Sequence, residues 1–63
     1  MNEAALILAV AQAIEGPHNL NNILSAEKLA ESRRIRWEML PRQTQNYRMI
    51  QACAAILAAS SSE

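Results

Sequence analysis

The sequence predicts an all-α domain, and three observations predict it. Alanine, leucine, glutamate, glutamine and arginine dominate the 63 residues, whereas aromatics make up 3% and β-branched residues are scarce, so intrinsic propensity favours helix over strand almost throughout. Start and stop residues fall at intervals suited to two or three short helices. Two alanine-rich apolar segments, Ala4–Ile14 and Ile50–Ala59, flank all six basic residues, five of which form a central band of arginine: Arg33, Arg34, Arg36, Arg42 and Arg48.

The first helix is expected over about residues 3–15. Asn2 can cap it, Glu3 suits its positive N-terminal end, and Gly16 followed by Pro17 stops it. His18-Asn19-Leu20-Asn21-Asn22 reads as a connection, because histidine and asparagine side chains compete for backbone hydrogen bonds. Leu20, Ile23 and Leu24 would pin that connection to the body. Ser25 then offers a second cap with Glu27 in the following turn, and the pattern runs to the Leu40-Pro41 break, giving a second helix over about 26–39. Pro41 is tolerated at the first position of a third helix, expected over about 41–59, with residues 60–63 fraying.

A single domain spanning 1–63 is all that this length allows, and such a chain buries only about 60% of the surface its unfolded form exposes. Folds this small usually need a disulfide, a metal, oligomerisation or exceptional helix packing. Cys53 is the one cysteine, and His18 has no cysteine or second histidine to complete a zinc site, so neither a disulfide nor a metal is expected. Cys53 itself is expected as a small buried hydrophobe on the third helix, in a stripe with Met49, Ile50, Ile56 and Leu57, while Arg48, Ala52, Ala55 and Ala59 lie along the flank. The first helix is apolar nearly all round, with Gln12 its one polar residue between Ala4 and Ile14, and is expected to be buried on every side. Two other short helices can hardly cover it. The expected architecture is therefore a helical hairpin packed into a homo-oligomeric bundle, at least a dimer.

Six basic and six acidic residues cancel, which leaves no general attraction to nucleic acid or to an acidic membrane. Glu27, Glu31 and Glu38 further count against the second helix as a DNA reader. The longest apolar runs, Ala4–Ala11 and Ala52–Ala59, are far short of the ~20 residues of a transmembrane helix, and Glu3 is the first charge, unlike a signal peptide. A lone thiol and no export segment point to the cytoplasm.

Helical spacing sorts the arginines, because a side chain meets neighbours three and four positions away. Arg34 has Glu31 and Glu38 at those spacings, and Arg42 has Glu38, so both are expected in local surface pairs. Arg33, Arg36 and Arg48 have no carboxylate so placed. Arg33 also projects into the apolar stripe of Ala26, Leu29, Ala30, Trp37 and Leu40, where a guanidinium must be paired or reach out to water. Two readings stand for it: an ion pair with Glu3, Glu15 or Glu27, or a site for an anion, whose phosphate or carboxylate the rigid guanidinium fork binds in bidentate fashion. Trp37 and Tyr47, flanking Pro41, are core residues in one reading and a stacking platform for a planar ligand in the other.

The run from Trp37 through Leu40-Pro41 and Tyr47-Arg48 into Ala52-Cys53-Ala54-Ala55-Ile56 resembles the ends of short all-helical phage proteins, some of them anti-defence factors. In general character it is similar to the anti-CBASS sponges, helical oligomers that sequester cyclic nucleotides between subunits. The resemblance covers about the last third of the chain and carries over no ligand residue. It implies a non-enzymatic, cofactor-free protein of the host cytoplasm that sequesters a cyclic nucleotide or other phosphate-bearing signal. Arg33, Arg36 and Arg48 are then the candidate phosphate ligands, and Tyr47 or Trp37 the candidate base platform. The alternative expectation is an inhibitor or adaptor that docks an apolar helix face on a host protein.

Overall fold

A computed structural model describes residues 2–61. Three helices, α1 (Glu3–Glu15), α2 (Ala26–Met39) and α3 (Arg42–Ser61), account for its regular structure, with no strand among the described residues, so the fold is all-α. Each helix limit has a local cause. At the start of α1, the Asn2 Oδ1 accepts from the Ala5 amide at 2.7 Å. At its end, Gly16 adopts φ 98°, in the left-handed region that disfavours a side chain, and its amide donates to Gln12 O at 3.0 Å. The His18 ring closes the same turn, its Nε2 lying 2.9 Å from Ile14 O.

The connection is held by Asn19, whose side-chain amide donates to Leu24 O at 2.8 Å and accepts from the Leu24 amide at 3.1 Å. Leu20 and Ile23 do not anchor it. They are 90% and 79% exposed, because the bonds to Leu24 fix the loop without turning those side chains inward. Ser25 Oγ accepts from the Lys28 amide at 3.3 Å and caps α2.

Between α2 and α3 the chain turns over Leu40 and Pro41. The carbonyl of Pro41 accepts from the Gln45 amide at 3.0 Å, so the proline caps α3 rather than occupying its first turn. The Gln45 side chain reaches back to Trp37 O at 2.8 Å and braces the corner. At the far end the helix continues through Ser60 and Ser61, where Ser61 Oγ donates to Leu57 O at 2.8 Å; the fraying expected from residue 60 therefore does not occur at these two, and residues 62 and 63 lie outside the described residues.

Helix α1 packs chiefly on α3 and more lightly on α2. Ala11 and Ala52 have no accessible surface, and their small side chains let α1 and α3 approach closely. Trp37 completes the core at 9% exposure, with Ile7, Val10, Ile14, Leu40 and Met49 packed around it. Among the described residues no large side chain is fully buried. The expectation that α1 is buried all round is thus corrected: Leu6 and Leu8 are 40% and 38% exposed, because α2 and α3 cover one face of α1 between them. Cys53 is likewise exposed rather than buried. The expected stripe of α3 splits: Met49 and Ile56 lie toward α1 together with Ala52 of the flank, whereas Ile50 and Leu57 are both 67% exposed.

The shortage of core shows in two global quantities. A compact monomer of 7.0 kDa exposes about 4,000 Å², yet this chain exposes 4894 Å². Its radius of gyration is 12.2 Å, against about 11 Å for a well-packed domain of this length.

The close approach of α1 and α3 gives a test of the packing. Ala52→Leu should lower stability by about 1–3 kcal/mol in thermal or urea unfolding, because the added methylenes have no space to enter. Ala55→Leu, on an exposed position of the same helix, should change it by less than about 0.5 kcal/mol.

Candidate functional site

The three arginines without local partners are brought together at the C-terminal end of α1. Arg36 Nε donates to Glu15 Oε2 and Arg48 Nε to Glu15 Oε1, each at 2.9 Å. One carboxylate thereby ties the last turn of α1 to both other helices. Arg33 joins the same end by a different bond, its Nε donating to Pro17 O at 3.1 Å. Its guanidinium therefore satisfies a backbone carbonyl rather than ending on Glu3, Glu15 or Glu27.

Glu15 is the buried partner of this triad, with 8% of its side chain exposed against 54% for Arg36 and 29% for Arg48. The hydrogen bond from Arg48 and then that from Arg36 hold its carboxyl below the ordinary value of 4.5, and these outweigh the opposing cost of burial. Arg48 is positioned further by Gln51, whose Oε1 accepts from its Nη1 at 2.7 Å, and by the Tyr47 ring, whose centroid lies 5.6 Å from the guanidinium carbon. The buried edge of the arginine band is thus already neutralised. Arg36 bonds Glu15 through its Nε, and 54% of its side chain stays exposed.

The two aromatics part company. Trp37 is a core residue and offers no platform, because the α2–α3 corner folds its ring beneath α1. Tyr47 is 58% exposed and lines an open, shallow concavity with Gln43, Thr44, Asn46 and Ile50 along the outer face of α3. Of the two locally paired arginines, Arg34 meets Glu38 at 3.2 Å. Arg42 does not: the Leu40-Pro41 turn removes the one-turn register that would have brought Glu38 beside it, and Arg42 forms no ion pair among the described residues.

Sequence reasoning named Glu15 only as one of three conceivable partners of Arg33 and so missed its central place. A cue was present. A carboxylate in the last turn of a helix faces the negative end of the macrodipole, and no basic residue of α1 itself offsets it. Such a residue needs cations from elsewhere in the fold. Among the described residues no group of histidine, cysteine, aspartate and glutamate side chains is placed to hold a metal, and no described helix is long and apolar enough to cross a membrane.

Replacing Glu15 by Gln should lower stability by about 2 kcal/mol, the scale of hydrogen bonds to charged groups, or about 10 °C in midpoint for so small a domain. The pH dependence has a definite sign. Because the folded-state carboxyl is depressed, its stabilisation is complete above pH ~4.5 and is lost as the pH falls through the lower folded value. Melting curves from pH 7 to pH 2 should show this acid loss in the wild type and a shallower one in Glu15→Gln.

No protein-family model, no curated protein and no solved structure matches this chain.

Proposed function

We propose that this protein is a non-enzymatic, self-associating helical module of the cytoplasm whose working surface is its exposed apolar faces. The observation that carries this reading is the mismatch between core and surface: a core of Ala11, Ala52 and Trp37 beside Tyr47, Ile50 and Leu57 at 58–67% exposure. Burying one Leu- or Ile-sized side chain gains about 1.5–3 kcal/mol, so covering even two of these rivals the total stability of a domain this small. The non-catalytic part of the reading draws on Glu15. The carboxylate that the fold shelters is held ionised and doubly bonded, the opposite of what a proton-transferring group requires. Light scattering at micromolar concentration should give at least twice the mass of one chain, and a folded species of 7.0 kDa would refute the reading.

A second reading has its own support. Arg42, which forms no ion pair among the described residues, stands at the start of α3 next to the concavity lined by Gln43, Thr44 and Tyr47, and the Arg36 side chain is 54% exposed. Together with the likeness of the C-terminal third to cyclic-nucleotide sponges, this supports binding of a phosphate-bearing ligand at a subunit boundary. The phosphate contacts then fall to Arg42 and to Arg36, which is 54% exposed although its Nε bonds Glu15, rather than to the less exposed Arg33 and Arg48. Calorimetric titration with cyclic di- and trinucleotides should show binding that Arg42→Gln weakens at least tenfold, whereas no heat at micromolar protein would remove this reading.

A further inference from the structure

We infer that two copies of this chain pair through the outer faces of their α3 helices, antiparallel, about a two-fold axis level with Ala52. The inference rests on the self-association reading and adds its surface, direction and register. Gln43, Tyr47, Ile50, Ala54, Leu57 and Ser61 recur along α3 at alternating steps of four and three residues, the spacing of a coiled-coil seam. All six are exposed. Ala52, with no accessible surface, lies on the opposite side of the helix against α1, so the seam is the side of α3 that the chain itself leaves uncovered.

A second copy is the occupant that the areas and charges favour. The chain exposes about 900 Å² more than a compact monomer of its mass, close to the ~800 Å² that each partner buries in an interface of standard size. Between Arg48 and Ser61 the helix carries no charged residue, and such a surface suits its own like. Direction follows from charge. The described part of α3 has Arg42 and Arg48 and no acidic residue, so a parallel pair sets two Arg42 side chains and two positive helix ends together. An antiparallel pair separates them and lays each Arg42 beside the negative end of the other helix.

Register follows from side-chain size and polarity. With the axis at residue 52, Ile50 meets the partner's Ala54, Tyr47 meets the partner's Leu57, and Gln43 meets the partner's Ser61. Large side chains thus face smaller ones in the middle, and polar ones face polar ones at the rim. Leu57 also borders a groove between α1 and α3, lined with it by Glu3, Ile7, Cys53 and Ile56, which leaves room beside it for an opposing tyrosine ring. In a parallel pair Tyr47 would meet its own copy and Ala54 would leave a gap against Ala54.

Cys53 supplies a direct probe. It stands beside the seam one residue from the axis, so in the antiparallel pair both thiols lie on one side of the interface, whereas in a parallel pair they lie on opposite sides. Treatment of the wild-type protein with a short bismaleimide at micromolar concentration should give covalent dimer, and Cys53→Ser should give none. In sedimentation velocity, Ile50→Glu and Leu57→Glu should each weaken the dimer roughly a hundredfold or more, since every substitution enters the interface twice. Met39→Glu, at a residue of α2 that is 79% exposed, should leave it intact. A wild-type dimer that neither cross-links at Cys53 nor responds to the two α3 substitutions overturns the pairing while leaving self-association standing. A wild-type monomer, including one that binds a different protein through this face, overturns both.

Discussion

The carboxylate of Glu15 is the point on which the three helices depend. Among the described residues it is where directed bonds join α1, α2 and α3, and it does so with two guanidinium groups that come from different helices, 21 and 33 residues further along the chain. Apolar packing cannot set these angles alone, because the core has two alanines and one tryptophan where larger domains interlock many branched side chains. Placing a charge acceptor at the end of α1 also removes a local penalty. The dipole of α1 disfavours a carboxylate at that end, and Arg36 and Arg48 convert the penalty into a tertiary constraint.

That constraint divides the protein into an inner and an outer half. The inner half of α3, with Met49, Ala52 and Ile56, is turned onto α1 and held there by Arg48. The outer half is free by consequence, since a helix fixed at Arg48 cannot roll to bury Tyr47, Ile50 and Leu57 against its own chain. Arginine suits the clamp better than lysine. Its Nε bonds Glu15 while another nitrogen remains for Gln51, and a planar guanidinium can lie near the Tyr47 ring at the edge of the exposed face. The same guanidinium thus links the part of the molecule that holds itself together to the part left open.

Much of the fold was legible in the sequence because its limits are set by local chemistry. Asn2, Gly16, Ser25 and Pro41 act through bonds to residues a few positions away, and local rules suffice for them. The arginine site was legible in half. Spacing correctly isolated Arg33, Arg36 and Arg48 as side chains whose partners must be distant, but distance itself hides which partners they find. Arg42 shows the opposite failure: a four-residue spacing to Glu38 looked sufficient, and the proline turn between them removed the helix in which that spacing has meaning. The outer seam escaped notice for a geometric reason. Met49, Ile50, Ile56 and Leu57 form one broad apolar band on a wheel, and only the position of α1 shows which edge is inner and which outer.

The claim beneath these observations is that one chain does not complete its own hydrophobic surface. Thermal unfolding followed across a hundredfold dilution from high to low micromolar concentration addresses it most directly, because a fold completed by a second copy loses stability as the copies separate. A midpoint that falls steadily on dilution is the predicted result. A midpoint unchanged over that range, with the same cooperativity throughout, would contradict it.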